Sequence, residues 1–357
     1  MSERTNSSHA KALIVLPYLR VQNANAISSP LTHGFPSITA LNGTMWALQR
    51  QLRLANIPLN LHRVGVICHR HEEQVEDGYV KTFRLTRNPL EKDGGVAAIV
   101  EAGRIHLEIT LLFEVTQHVS PEAIPQLTRG NEARLNEWAA RIGEIVQRMR
   151  IAGGTLLPVR RLAGKLTRPW MEVLPEDMDE KRRLFARWRR QWLPGYALVS
   201  RDDLLATRHE FLRLTNPDVT LVDAWLHAAR FNYESTEEPG ANIPTQAASE
   251  TRHRWSDPQR QKGAGWTVPI PVGYAALQPP LAAGSVANTR DPDVPFVLVE
   301  SIYSFGEWIS PHRLNDLDDL FWRPEVDLEK GVYRCRGSYT KSDLHLLDSD
   351  EALPEFE

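Results

Sequence analysis

The sequence has too few cysteines and too short apolar runs for several classes of protein. Among its 357 residues only Cys68 and Cys335 are cysteines, which excludes a disulfide framework and a cysteine-rich zinc site. No apolar run reaches the roughly 18 residues of a membrane-spanning helix. The polar first residues, MSERTNSSHAK, also lack the apolar core of a signal peptide. We therefore expect a cytoplasmic protein with no membrane segment.

The common motifs of nucleotide-binding proteins and hydrolases are absent as well. The sequence contains no G-x-x-x-x-G-K-[ST], no G-x-G-x-x-G and no G-x-S-x-G. Cys68, His69 and His71 lie close together, but only alternate residues of a strand share a face, and no third and fourth ligand follows at a suitable spacing. The segment HEEQV lacks the second histidine of an H-E-x-x-H zinc motif. We expect neither a metal site nor a cofactor.

The formal net charge of −3 is not that of a general polyanion-binding protein. The charge is unevenly distributed, however. Residues 1–114 carry 12 basic and 10 acidic side chains, residues 115–215 carry 18 and 12, and residues 216–357 carry 12 and 23. This gradient favours an electropositive middle that meets a polyanion and an acidic C-terminal part that faces protein or solvent. Uneven solvation of ordinary surfaces is the alternative.

Periodicity predicts the element order β-α-β-(hairpin)-β-α-β in the first 160 residues. The predicted elements are strands at 11–21, 59–70, 104–115 and 155–159, helices from Ser37 or Thr39 to Leu54 and over 131–151, and hairpin arms at 80–87 and 96–100. This order is that of the ferredoxin-like fold, which RNA-recognition domains share. The aromatic signature of a base-stacking sheet is missing. We predict an α+β protein with a ferredoxin-like body, a β-hairpin thumb and additional C-terminal α/β elements.

Composition divides the chain into six predicted regions. They are a disordered N-terminus (1–10), a ferredoxin-like RNA-binding body (11–160) with a thumb at about 80–104, a basic helical segment (161–234), a flexible loop (235–262), a C-terminal part that completes the body (263–339) and an acidic tail (340–357). We also expect a tryptophan-containing helix near 306–322.

Three segments have the chemistry to bind RNA. The loop 22–37 offers amides that match base edges and hydroxyls that match phosphates. These groups belong to Gln22, Asn23, Asn25, Ser28 and Ser29. A loop that caps its own backbone is the alternative.

The second segment is the hairpin, in which Arg84 and Thr86 share one side, Arg87 takes the other and Asn88 begins a turn. The third is the basic helix 181–190, for which a solvated surface helix is the alternative.

Two histidines are candidates for general acid–base catalysis. His33 lies in the loop 22–37 and His106 lies on a predicted strand. Ferredoxin-like ribonucleases use one or two histidines in this way. Neither residue has a defined partner in the sequence, so a histidine that only forms hydrogen bonds is favoured.

Seven collinear blocks of the chain resemble one known family. The blocks are QNANAISSPLTHGFPS (22–37), VGVICHR (64–70), FRLTRNPLEKDGGVAAIVEAGRIHLEITLL (83–112), AGGTLLP (152–158), LPGYALVSR (193–201), GWTVPIPVGY (265–274) and GEWISPHR (306–313). Over about 11–334 the chain is similar to the second Csy subunit, which is the Cas-five-like subunit of type I-F CRISPR surveillance complexes.

The resemblance implies a non-catalytic subunit that holds the 5′ handle of the CRISPR RNA. It further implies that the chain pairs with the large Csy subunit, contacts the first backbone Csy subunit and meets target DNA through the complex. The matching positions that could bind the handle are Gln22, Asn23, Asn25, Ser28, Ser29, Arg84, Thr86, Arg87, Asn88 and Arg104. The alternatives are a metal-independent endoribonuclease that processes CRISPR RNA and a protein-only adaptor whose basic helix docks an acidic partner.

Overall fold

The computed structural model describes residues 11–87, 90, 93–96, 99–118, 125–238, 252–257 and 265–339. Within these residues the fold is mixed α/β, with five α-helices and a large antiparallel sheet. The elements of the first half are β1 Lys11–Asn25, β2 Ile27–Ser29, β3 Thr32–His33, α1 Ile38–Leu54, β4 Leu59–Glu73, β5 Val75–Glu76, β6 Thr82–Phe83, β7 Leu85–Arg87, β8 Ile99–Glu101, β9 Arg104–Gln117, α2 Glu132–Gln147, β10 Arg150–Ile151 and β11 Gly154–Leu157.

The second half adds strands, three helices and three 3-10 turns. They are β12 Trp170–Val173, α3 Met178–Trp188, a 3-10 turn at Arg189–Trp192, β13 Tyr196–Ser200, α4 Asp202–Arg213, α5 Leu221–Ala229, β14 Glu234–Glu238, β15 Arg252–Ser256, β16 Trp266–Ala276, β17 Val299–Ile309, 3-10 turns at Pro311–Arg313 and Leu317–Leu320, β18 Phe321–Asp327 and β19 Val332–Gly337. None of the helices in the described part of the chain is long and apolar enough to cross a membrane.

The first half forms four antiparallel strands in the spatial order β11-β1-β9-β4. Successive residues of β1 point to opposite faces of the sheet. Ala12 and Ile14 pack in the cluster that contains α1 and α2. Leu13 and Val15 pack on the other face, in the cluster that contains α3. Because both faces are covered here, β1 reads in the sequence as an almost continuous apolar run.

Helix α1 has the start and the buried stripe that the sequence predicts. The Ser37 hydroxyl accepts a hydrogen bond from the Thr39 backbone N–H at 3.3 Å, and the helix ends at Leu54. Such a cap satisfies one of the backbone donors left unpaired at a helix start. The four residues at helical spacing are fully or almost fully buried, namely Leu41, Met45, Leu48 and Leu52.

The second half joins the sheet through β4. One edge of β4 pairs with β9 along its length, while the other edge pairs first with β18 and then with β13. The strands β4, β13, β17, β16, β19 and β18 pair in that order, and β18 also pairs with β4. These six strands therefore form a closed ring. Trp322 on β18 is 0% exposed, and its indole N–H donates to the Leu198 carbonyl on β13 at 2.8 Å. This residue therefore joins the two strands that pair, one after the other, with the same edge of β4.

A cluster of charged side chains fixes α3 to the sheet. Arg63 donates to the carboxylates of Glu114 and Asp318, and Lys181 of α3 lies 2.5 Å from the second oxygen of Asp318. The side chain of Glu114 is only 5% exposed. Burial opposes ionisation of Asp318, but the hydrogen bond from Lys181 and the charge of Arg63 prevail and lower the pKa of Asp318. The cluster links β4, β9, α3 and the turn Leu317–Leu320.

The prediction of a helix near 306–322 is wrong. Residues up to Ile309 belong to β17, two 3-10 turns follow, and β18 begins at Phe321. Pro311, which has no backbone N–H to donate, cannot lie in the interior of an α-helix, and it instead begins the first 3-10 turn. The described ends of the predicted loop 235–262 pair as β14 and β15. The predicted segments 1–10 and 340–357 lie outside the described residues.

Candidate nucleic-acid interface

One end of the sheet has a polar face that α3 does not cover. Leu19, Val21, Ile105 and Leu107 pack in the cluster with α1 and α2. Their neighbours on β1 and β9 therefore point to the opposite face, and the strand register extends this face across β11 to β10. We call this surface the polar sheet face. It consists of Arg20, Gln22, Arg104, His106, Glu108, Arg150 and Thr155.

Two arginines of the polar sheet face donate to carbonyl oxygens rather than to carboxylates. Arg20 donates to the Pro158 carbonyl at 3.3 Å, and Arg150 donates to the Gly153 carbonyl at 3.4 Å. A carbonyl orients a guanidinium but does not neutralise it. Glu108 lies on the same face opposite Arg20 in the register, so it offsets part of the positive charge of Arg20. The face therefore combines cations with amide, hydroxyl and imidazole groups, which suits a nucleic-acid strand.

A β-bulge shapes the middle of this face. Asn23 has a φ of +55°, and the register of β1 against β9 shifts between Val21 and Ala24. The Asn23 backbone N–H donates to Nδ1 of His106 at 3.2 Å. The neutral His106 ring must then carry its proton on Nε2, where it is a hydrogen-bond donor. His33 has a separate partner, because its Nδ1 lies 2.8 Å from Oε1 of Glu73.

The polar groups of the loop 22–37 are mostly used within the loop. The Asn25 amide donates to the Ile27 carbonyl at 2.8 Å and accepts from the Ile27 backbone N–H at 3.1 Å. The hydroxyls of Ser28 and Ser29 both contact the hydroxyl of Thr32, at 2.8 and 2.7 Å. Ser29 is also buried. These two serines therefore hold the shape of the β2–β3 hairpin.

Only parts of the predicted thumb arms pair as β7 and β8, with Leu85 opposite Glu101 and Arg87 opposite Ile99, whereas Thr82–Phe83 pairs with β5. At the base of this hairpin, the Arg84 guanidinium donates to the Gln74 side chain at 3.0 Å. The side chains of Thr86 and Arg87, and the whole of Asn88, lie outside the described residues. The prediction that they bind RNA stays a prediction.

Backbone hydrogen bonds bring the loop and the thumb base to the polar sheet face. Ala26 donates to the Gly103 carbonyl at 3.0 Å, and Gln74 donates to the Arg104 carbonyl at 2.8 Å. A Cβ at Gly103 would lie 2.6 Å from the Ile27 side chain and 3.2 Å from the ring of Phe83. This close approach needs glycine. Five of the predicted handle-binding residues are thus at one end of the sheet, namely Gln22, Asn23, Asn25, Arg84 and Arg104.

Comparison with known proteins decides the family. The family model described as "CRISPR-associated protein (Cas_Csy2)" matches residues 14–335. The chain belongs to the Csy2 family. It is 41% identical over 327 residues to "CRISPR-associated protein Csy2" of Pseudomonas aeruginosa (strain UCBPP-PA14). That match covers 91% of this chain and 94% of the relative. The resemblance of the seven sequence blocks is confirmed at the level of this family.

The basic helix of this Csy2-family chain uses much of its charge internally. Lys181 is part of the buried cluster with Asp318, and Arg187 lies 3.0 Å from Glu172. Arg189 donates to the Leu314 carbonyl at 2.6 Å, and its guanidinium lies 5.9 Å from the centre of the Phe185 ring. These residues join α3 and the following turn to the body. The helix is therefore a weaker candidate for RNA than the polar sheet face.

Sequence reasoning missed Arg20 and Arg150. Arg20 follows a second β-bulge between Leu16 and Leu19, which shifts the inward–outward alternation of β1. Arg150 reaches the same face only through pairing with β11. The one available signal was the alternation of polar and apolar residues in LRVQ (19–22), which places Arg20 beside Gln22.

A half-buried histidine connects the sheet to the segment before β13. The Tyr18 backbone N–H donates to Oγ1 of Thr110 at 3.2 Å, and the Tyr18 ring stacks on His69 at 4.3 Å between centroids. Nδ1 of His69 lies 2.8 Å from the Pro194 carbonyl and must donate to it, so Nε2 accepts from the Thr110 hydroxyl at 2.8 Å. Burial lowers the pKa of His69, although the hydrogen bond to Pro194 opposes this shift.

We expect His69 to make the folded protein less stable in mild acid. Its pKa is lowered in the folded state, so the unfolded chain takes up the proton first as the pH falls below the ordinary value of 6.5. The free energy of unfolding should therefore fall between pH 7.5 and pH 5.5, and His69→Gln should reduce this fall. Urea unfolding at both pH values measures it. His71→Gln, at an exposed position of the same strand, is the matched control. Equal pH dependence in both variants would contradict the expectation.

Proposed function

We propose that this chain is a non-catalytic subunit of a type I-F CRISPR RNA-guided DNA surveillance complex that binds the 5′ handle of the CRISPR RNA. Membership of the Csy2 family supports a CRISPR-associated role. The observation that supports RNA binding is the polar sheet face, where arginine and amide side chains point away from α1 and α2. The strand order β11-β1-β9-β4 supports a ferredoxin-like body.

Different side chains of the polar sheet face would bind different parts of the RNA. Arg20, Arg104 and Arg150 would pair with phosphates, which supplies affinity and orientation. Gln22 and the Nε2–H of His106 would form hydrogen bonds with base edges. The β2–β3 hairpin is already held by its own hydrogen bonds, so little order has to be imposed on it when RNA binds.

The other parts of the proposal concern the assembly. The chain would pair with the large Csy subunit, contact the first backbone Csy subunit and meet target DNA only through the complex, in the cytoplasm. The acidic C-terminal part would face protein or solvent rather than the handle. Handle RNA that crosslinks mainly to 216–357 would contradict this orientation.

Removing two arginines of the polar sheet face should weaken handle binding at every handle sequence. We expect Arg20→Ala combined with Arg104→Ala to lower the affinity about tenfold or more at moderate salt, and to reduce the slope of log affinity against log salt by about two. Fluorescence anisotropy of a labelled handle RNA, measured with the full chain across a salt series, tests this. Arg323→Ala, on the distant strand β18, removes an exposed arginine that is paired with Glu325. An unchanged slope in the double variant would contradict the proposal.

The endoribonuclease remains a second candidate because His33 and Glu73 form a close imidazole–carboxylate pair. Such a pair can move a proton. Incubation of wild-type protein with CRISPR repeat RNA, without metal, separates the two functions. Specific cleavage that His33→Ala or His106→Ala abolishes would favour the enzyme, whereas intact RNA after incubation with wild type would remove it. Assembly that persists after complete RNase digestion would instead favour the protein-only adaptor.

A further inference from the structure

A cleft opens beside the polar sheet face, where β1 ends and α1 begins. Its volume is about 300 Å³. One side is formed by the β2–β3 hairpin and the first residues of α1, and the other by Tyr274 on β16 and Tyr333 on β19. Asn25 belongs to the wall of the cleft and stands opposite Arg104 in the sheet register. Asn25 therefore links the wall of the cleft to the strand pair β1–β9, which carries the polar sheet face.

The walls of the cleft suit a flat ring with a polar edge. The rings of Tyr274 and Tyr333 lie 6.5 Å apart and only 21° from parallel. The hydroxyl of Tyr274 lies 3.4 Å from the hydroxyl of Thr39. Asn25 uses only part of its amide for Ile27, which leaves one N–H and one lone pair of that amide for another partner.

The described lining of the cleft lacks the positive charge that a phosphate would need. The described residues that line it include no lysine and no arginine, and several are apolar, such as Ile27, Pro36 and Ala40. Its size is at the lower end of the roughly 300–1,000 Å³ of small-ligand sites, which is enough for one base and too small for two stacked nucleotides. Bases of single-stranded RNA stack on aromatic side chains in this way.

We propose that the cleft takes one nucleobase of the bound RNA, turned out of the strand and packed against Tyr274. The amide of Asn25 and the hydroxyl of Thr39 then face the polar edge of the base, while Arg104 holds the adjacent phosphate. This inference rests on the proposed function, because it assigns one nucleotide of the same RNA. It adds a position at which a single base, rather than the backbone, contributes to binding.

Abasic RNA tests this assignment. A set of handle RNAs, each with one abasic nucleotide, is titrated with the full wild-type chain and with Tyr274→Ala. Base–aromatic stacking predicts that Tyr274→Ala binds intact handle about 5- to 100-fold more weakly. At one handle position, the abasic RNA should bind wild type as weakly as intact handle binds Tyr274→Ala. The affinity of that abasic RNA should not fall further when Tyr274→Ala replaces wild type. Tyr274→Phe should retain most of the affinity, because it keeps the stacking face.

A second variant tests whether the loss in Tyr274→Ala is due to misfolding. Ala40→Phe fills the cleft while Tyr274 stays in place, and it should reproduce the loss at the same position. Tyr233→Ala, an exposed tyrosine on a segment that does not line the cleft, should leave every affinity unchanged. If Tyr274→Ala and Ala40→Phe lose affinity equally for all abasic RNAs, or lose none, the cleft does not hold a base. If wild type binds no handle RNA, the proposed function itself fails.

Discussion

Replacing Arg63 by alanine is expected to lower the free energy of unfolding by about 3–5 kcal/mol. The change takes the close guanidinium partner from the carboxylate of Glu114, whose side chain is 5% exposed, and leaves it only the exposed Lys11 at 3.6 Å. Asp318 keeps Lys181 at 2.5 Å, so the loss falls mainly on Glu114. Arg63 also lies 4.7 Å from the centre of the Phe321 ring, and that contact is lost as well.

Urea unfolding at pH 7 measures this effect, with Arg182→Ala as the control. Arg182 is 59% exposed, and its carboxylate contacts with Asp179 and Asp316 are 3.9 Å long. Exposed pairs of this kind contribute at most about 1 kcal/mol. Similar losses in Arg63→Ala and Arg182→Ala would show that the cluster is solvated. Because the pKa of Asp318 is lowered, its own contribution should be present above its ordinary value of 3.8 and be lost as the pH falls below it.

Trp322→Ala is expected to cost about 3–5 kcal/mol, because it removes a fully buried indole. Trp322→Phe keeps a ring in the core but leaves the buried Leu198 carbonyl without its indole partner, which costs about 1–3 kcal/mol. Denaturant unfolding followed by far-ultraviolet circular dichroism measures both. Trp255→Ala, at a position that is 65% exposed, should change the stability by less than about 0.5 kcal/mol. A Trp322→Ala protein as stable as the Trp255→Ala control would place the indole outside the core.

The elements that depend on local sequence could be predicted. The Ser37 cap and the stripe from Leu41 to Leu52 are contained within one helix, so α1 is found within a residue of its predicted bounds. The hairpin arms 80–87 and 96–100 were predicted for the same reason, and parts of them pair as β7 and β8, whereas Thr82–Phe83 pairs with β5. Both features are decided by residues that are neighbours in the chain.

The features that depend on distant residues could not be predicted. Phe321 and Trp322 read as part of a helix because their strand partners, Gly65 and Val64, lie at the other end of the sequence. The polar sheet face was recognised only in part. Gln22 and Arg104 come from matched sequence blocks, whereas Arg20 reaches this face because the β-bulge between Leu16 and Leu19 shifts the alternation of β1. A bulge leaves little mark on a single sequence.

The double pairing of β4 has a consequence for biosynthesis. When a ribosome has made β4 and β9, the second edge of β4 still has unpaired backbone groups, and its partner β18 is among the last strands to be translated. An exposed strand edge is a template for pairing with other chains. We therefore expect the nascent protein to need protection from aggregation until Phe321 and Trp322 have emerged. Fragments that end before β18 should be poorly soluble, so the RNA-binding half cannot be separated as an independent module.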